Sequence, residues 1–127
     1  MNPRIHTDRA PAAIGPYSQG VWAGDTLWLS GQLGLDAQTG LLPEGTRAQA
    51  RLAFANVKAL LTSQGLDFGD VVKLTIFITD LEDFAAVNDE MVAAFEGFAY
   101  PARSCVAVAD LPKHGLVEIE AVAHRQR

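Results

Sequence analysis

Apolar residues recur along this chain with two periods. Ala50, Ala53, Phe54, Val57, Leu60 and Leu61 stand at i, +3, +4, +7, +10 and +11, which is one stripe of an α-helix. "PEGTRAQ" leads into that helix, Thr46 and Gln49 have the spacing of a capping box, and Gly65 supplies the stop. A second helical stripe, Leu81, Phe84, Asn88, Met91, Val92 and Phe95, predicts a helix from about Leu81 to Glu96, ended by Gly97. Between the two, "VVKLTIFIT" (Val71–Thr79) alternates as a strand. Val72, Leu74, Ile76 and Ile78 form its aliphatic face; Val71, Lys73, Thr75, Phe77 and Thr79 form a mixed one.

Two more strands are predicted near Arg103–Val108 and Val117–His124, and a hairpin around "AGD" joins a short strand near Ser18–Val21 to Thr26–Gly31. "LDAQTG" reads as the next turn. The order is β-β-α-β-α-β-β, an α+β arrangement with two helices on one face of a mixed sheet. The 127 residues show no linker and no repeat, so one domain spanning residues 1–127 is expected.

The other face of that sheet is unusual. Alternation separates Arg103, Cys105, Ala107 and Ala109 from Ser104, Val106 and Val108, and Glu118, Glu120, Val122 and His124 from Val117, Ile119, Ala121 and Ala123. With the helices on the aliphatic sets, the far face carries Val71, Phe77, Cys105, Ala107 and Val122 beside Lys73, Arg103, Glu118 and Glu120. That is too apolar for bare solvent and too charged for a private core. A subunit interface holding polar sites fits both properties.

Charge narrows the class. The net charge is −5 and the pI about 5.0, which argues against a nucleic-acid binder needing a basic face. No apolar run approaches the roughly 20 residues of a membrane span, and "MNPRIHTDRAP" lacks the apolar core of a secretory signal. A single cysteine suits a reducing, cytoplasmic setting. His6, His114 and His124 have no ligand spacing, so no metal site is expected. The acidic run Glu82, Asp83, Asp89 and Glu90 reads as a solvated helix face, and Trp22 and Trp28 read as packing residues.

Asn88 occupies a stripe position that calls for a hydrophobe. It serves either a helix-to-loop hydrogen bond or a ligand contact. Arg103 either pairs with Glu118 or Glu120 across an interface or binds an anion. Cys105 is best read as a small buried hydrophobe. Tyr17 is a packing aromatic or a ligand contact, and Ser30–Gly31 a strand end or a lining.

"APAAIGPYSQG", "SGQLGLD" and "PARSCVAVADLP…VEIEA" stand in that order, and together they resemble the Rid family of reactive-intermediate deaminases over nearly the whole chain. The last block, with Arg103, Cys105, Glu118 and Glu120 at defined spacing, is the most specific, and its arginine matches the active imine deaminases. The resemblance implies a chorismate-mutase-like fold and a homotrimer with sites at subunit interfaces. It implies hydrolysis of small 2-imino acids such as 2-iminobutanoate and 2-iminopropanoate, with no cofactor. Arg103 is implied to hold the substrate carboxylate and Glu118 to manage the attacking water. Tyr17, Ser30, Gly31, Asn88 and the backbone of Cys105 are implied to line the pocket, while Glu120 reads as an interface partner. The Lys113–Gly115 loop bears on side-chain preference. Two further classes match the same blocks: a ribonuclease or translation inhibitor, and a non-enzymatic ligand-binding or chaperone-like module.

Overall fold

A computed structural model describes residues 1–126. Its strands are β1 (Arg4–Ile5), β2 (Gly20–Ala23), β3 (Thr26–Leu29), β4 (Gln32–Leu33), β5 (Val71–Ile78), β6 (Ala102–Ala107) and β7 (Val117–His124). Two helices, α1 (Thr46–Ser63) and α2 (Phe84–Ala94), lie between β4 and β6. The sheet runs β1-β2-β3-β7-β5-β6, and β4 also pairs with β7. All pairs are antiparallel except β5–β6, whose parallel register follows from the crossover through α2. The α+β class and the order of the main elements agree with the sequence reading; β1 and the separation of β4 from β3 are additions.

The α1 stripe forms the centre of the core as its spacing predicts, with every member at most 2% exposed. It packs with Leu74, Ile76 and Ile78 of β5 and Val117, Ile119, Ala121 and Ala123 of β7, all buried. Phe95 completes this core between Phe54 (ring centroids 6.3 Å, edge-on) and Phe68 (4.6 Å). Burying each large apolar side chain contributes about 1.5–3 kcal/mol.

Four local expectations are corrected. Thr46 and Gln49 form no capping box: the cap is Gly45, at φ 87°, with no side-chain cap bond. Thr46 is already inside the helix, and its hydroxyl donates to Asp83 Oδ2 at 2.7 Å. Buried Gln49 instead donates to the Pro43 carbonyl and accepts from the Leu116 N–H, tying α1 to the turn before β7.

Second, the buried side of α2 is Val87, Glu90 and Met91, followed by Phe95. A 3₁₀ turn at Leu81–Asp83, capped by Asp80, precedes the α-helix and rotates its start. Leu81, Phe84 and Val92 are left exposed. Third, the acidic run is not all solvated. Glu90 is 7% exposed and accepts from Arg51 Nε at 2.7 Å, and Asp89 pairs with Arg47, so the run docks α2 on α1.

Fourth, a bulge between Val71 and Lys73 exchanges sides at the start of β5. Val71 enters the core and Val72 points outward, the reverse of the simple alternation. The sheet face away from the helices is left uncovered among the described residues, with Trp28 54% and Val106 44% exposed. Trp22 packs as expected, but Trp28 has nothing over it in this chain.

Candidate functional site

The ladder between β3 and β7 breaks where chemistry-bearing residues gather. Trp28 pairs with Val122, and pairing resumes with Gln32 on Ile119. The first side advances four residues while β7 advances three, so the segment between β3 and β4 carries one extra residue. This is a bulge. Inside it, the Ser30 N–H continues the β2–β3 register by donating to the Gln19 carbonyl at 3.0 Å, and the Ser30 hydroxyl donates to the Ser18 carbonyl at 2.6 Å.

Gly31 fills the remainder of the bulge, and a side chain there would displace Glu118 from its place. A Cβ there would lie 2.8 Å from Glu118 Cδ and 3.1 Å from its Oε1. The Glu118 carboxylate therefore rests on backbone. The wall opposite is the segment Pro11–Tyr17, held by buried Gln19, which accepts from Thr7 N–H and donates to the carbonyls of Thr7 and Pro11. Tyr17 is half-exposed, and its hydroxyl accepts from the Ile14 N–H at 3.3 Å. The result is a cleft of about 570 Å³ lined by Tyr17, Ser30, Gly31, Glu118 and Glu120, with Ile14, Leu33, Pro112 and Lys113 around them. Burial pushes the Glu118 carboxyl above its ordinary range, and the neighbouring Glu120 charge adds to the rise.

Arg103 lies elsewhere. In the β5–β6 register Leu74 pairs with Arg103 and Ile76 with Cys105, so both side chains project to the helix side. In the β5–β7 register Phe77 pairs with Glu118 and Thr75 with Glu120, on the opposite side. The expectation that Arg103, Cys105 and Glu118 share the far face is therefore corrected: Ser104 and Val106 take that face on β6, and Lys73 donates to Ser104 Oγ at 2.8 Å. Alternation fixes which residues of a strand go together, not which set meets the helices.

The helix side accepts an arginine because α2 offers it a seat. Arg103 Nη1 donates to Asn88 Oδ1 at 2.5 Å and to Met91 Sδ at 3.5 Å. Its guanidinium carbon stands 5.3 Å from the centre of the Phe84 ring, within cation–π range. Asn88 thus meets a hydrogen-bond partner rather than breaking the core stripe. Cys105 is half-buried at the core edge, and burial pushes its thiol up, only partly offset by the Arg103 charge.

One chain therefore presents two groups on opposite faces of its sheet. Tyr17, Ser30, Gly31 and Glu118 form one; Arg103, Asn88 and Cys105 form the other. Phe84 and Met91 were absent from the sequence-derived site, although their spacing with Asn88 at i, +4 and +7 was visible in the stripe. The bulge at Ser30–Gly31 left no signal beyond the small residues themselves. Among the described residues, no three of His, Cys, Asp and Glu gather as a metal cage. No helix there is long and apolar enough to cross a membrane.

Comparison with known proteins adds to this geometry. The family model described as Endoribonuclease L-PSP matches residues 7–125. The chain is 50% identical over 128 residues to the 2-iminobutanoate/2-iminopropanoate deaminase of Salmonella typhimurium, covering 99% of this chain and all of that one. The crystal structure of Escherichia coli TdcF with bound serine superposes with a TM-score of 0.95 at 49% identity, over 98% of this chain and 99% of that one. RidA from the Antarctic bacterium Psychrobacter sp. PAMC 21119 superposes with a TM-score of 0.93 at 49% identity, over 97% and 99%.

Proposed function

The chain belongs to the endoribonuclease L-PSP family, to which the Rid deaminases belong, and we propose that it hydrolyses small 2-imino acids to 2-keto acids and ammonia. The observation that carries this reading is Glu118. Its partly buried carboxylate lies against Gly31 in a cleft that Tyr17 and Ser30 also line, in a chain half-identical throughout to a protein named for that activity.

The reaction adds water across C=N and expels nitrogen. A guanidinium fork is suited to the substrate carboxylate, and Asn88, Met91 and Phe84 hold Arg103 ready for it. Asn88 acts here through Arg103. Glu118, ionised, positions a water and takes its proton as the oxygen attacks C2. That proton passes to nitrogen to give the carbinolamine; the carbinolamine's own O–H proton then goes by way of Glu118 to nitrogen as C=O forms and the C–N bond breaks, and ammonia leaves with the keto acid behind. An upward-shifted carboxyl is the stronger base once ionised, which suits this role. Tyr17 and Ser30 offer hydroxyls to the adduct, and Cys105 contributes backbone.

Two half-sites on opposite faces of one sheet must be joined by a second copy. We assign a homotrimer in which β6 of one subunit brings Arg103 to the Glu118 cleft of the next. A heterologous contact repeated around a threefold closes and buries the uncovered face bearing Trp28 and Val106. The number three comes from the Rid resemblance. The reading puts the enzyme in the cytoplasm, where a lone cysteine stays reduced. A ribonuclease role, suggested by the family's name, meets a chain of net charge −5 with no basic stripe to hold a phosphate backbone.

The test is complementation between dead variants. Arg103→Ala and Glu118→Gln should each lose activity alone. Unfolded and refolded together in equal amounts, they form shared sites with an intact Arg103 from one subunit and an intact Glu118 from another. About a quarter of the sites are whole if mixing is random and each site spans one interface. The assay generates imine with a separate enzyme and measures how far the protein diverts product from semicarbazone to keto acid. No recovery on mixing, with both variants folded and trimeric, sinks the shared site. A wild-type protein that leaves the semicarbazone yield unchanged sinks the deaminase reading.

A further inference from the structure

Lys113 is the one cation that this chain itself places on the wall of the cleft, beside two carboxylates, Glu118 and Glu120. A 2-imino acid is itself an anion. It must enter beside those charges, in a protein of net charge −5.

The chain spends unfavourable backbone on that lysine. Lys113 lies at φ 57°, ψ 21°, and His114 at φ 56°. These are successive left-handed residues, a conformation a Cβ disfavours and which concentrates at functional sites. The turn is clamped from both ends. His114 N–H donates to the Leu111 carbonyl and Gly115 N–H to the Pro112 carbonyl. Gly115 is pressed so closely on β4 that a Cβ there would stand 2.8 Å from Leu33 Cδ2. His114 is engaged by Asp110. Lys113 has no carboxylate partner among the described residues; its ammonium makes only a long contact, 3.4 Å, to the Gly40 carbonyl. A strained and clamped turn thus presents an exposed, uncompensated charge at the cleft.

We propose that Lys113 is a steering residue: its ammonium draws the substrate carboxylate past Glu118 and Glu120 on its way to Arg103 of the adjoining subunit. This rests on the imine-deaminase reading above. Rim charges act on association and on its salt dependence more than on the chemical step. Burial and Glu120 already disfavour ionised Glu118, so a third negative charge is opposed on its way past them until Arg103 of the adjoining subunit takes the carboxylate.

The experiment compares wild type with Lys113→Met, Lys113→Gly, Lys113→Glu and Lys113→Arg at low and high ionic strength. At low salt, Lys113→Met should lower kcat/KM by about 3- to 10-fold with kcat unchanged, and Lys113→Glu should lower it further. The differences should largely vanish at about 0.5 M salt, where screening shortens to a few ångströms. Lys113→Arg should restore the low-salt rate. Lys113→Gly separates charge from turn: glycine relieves the left-handed strain, so a structural role predicts recovery and a steering role predicts a loss equal to that of Lys113→Met. Calorimetric binding of 2-oxobutanoate, the product anion, reads the same contact without turnover and should weaken by a similar factor.

The proposal is overturned if Lys113→Met and Lys113→Gly keep the wild-type salt dependence, or if kcat falls in step with kcat/KM. Normal imine hydrolysis with indifferent Lys113 variants leaves the deaminase reading standing and removes this one. Salt-sensitive, Lys113-dependent keto-acid binding without imine hydrolysis does the opposite.

Discussion

Adding one methyl group at Gly31 tests whether the position of Glu118 matters to chemistry. The Cβ would stand 2.8 Å from Glu118 Cδ, where carbon–carbon contacts settle at about 3.5–4.0 Å. The carboxylate must therefore retreat by roughly 0.7–1.2 Å. It is the end of a flexible side chain facing a cleft, so it can move without disturbing the core. Gly31 is also outside the left-handed region, so alanine meets no backbone strain. Loss of unfolded-state freedom stabilises by about 0.4–1 kcal/mol, and the melting temperature should hold or rise by roughly 2–5 °C. Misplacing a reacting group by about 1 Å can cost on the order of 100-fold in rate. Gly31→Ala should thus keep its fold and assembly while kcat for imine hydrolysis drops about 100-fold in the semicarbazide-competition assay. A folded Gly31→Ala protein with wild-type kcat would refute the seating of Glu118 on Gly31 as a condition of catalysis. A large fall in melting temperature would refute the claim that the carboxylate alone gives way.

In the proposed role Arg103 pairs the substrate carboxylate, and deleting one partner of such a desolvated pair costs about 2–5 kcal/mol. Arg103→Ala should therefore reduce kcat/KM roughly 30-fold to several thousand-fold, and Arg103→Lys, lacking the planar fork, should not restore it. Phe84→Leu keeps bulk but removes the ring under the guanidinium, so KM should rise about 2- to 5-fold and Phe84→Tyr should recover it. Because Glu118 is pushed upward by burial and then by Glu120, the folded chain binds its proton more tightly than the unfolded one. The ionised group then opposes folding as pH rises above about 4.5, its ordinary value. Glu118→Gln should melt higher than wild type at neutral pH and lose that advantage at pH 4, while kcat stays low at both. Trp28→Glu places a charge on the uncovered face and should yield a monomer in sedimentation without loss of helical circular dichroism.

The sequence made some of this legible for definite reasons. α1 was clear because its stripe has a single reading: each of its six residues is large or small apolar and each is buried. β7 was clear to the residue because Val117–His124 alternates without interruption. α2 was not, since Met91 and Phe95 belong to two overlapping stripes and a 3₁₀ turn before Phe84 decides between them. β1 has two residues and so no period to detect. The identities around the site were legible through the three blocks of resemblance. The side of the sheet on which Arg103 stands was not. It depends on a cradle formed by Phe84, Asn88 and Met91, residues 12 to 19 positions away, and alternation cannot count across a crossover.

The extra residue between β3 and β4 has an evolutionary side. A bulge cannot be lost gradually. Deleting the extra residue there would leave Gln32 and Leu33 paired with Ile119 and Glu118 in a regular ladder and would remove the notch at a stroke. The notch under Glu118 is therefore inherited whole or not at all. The wall formed by Pro11–Tyr17 is different: it hangs on one glutamine's hydrogen bonds to backbone groups of Thr7 and Pro11, and backbone partners persist whatever side chains the segment carries. Descendants of this chain can recut the wall for new substrates, one substitution at a time, while the floor beneath the carboxylate stays put.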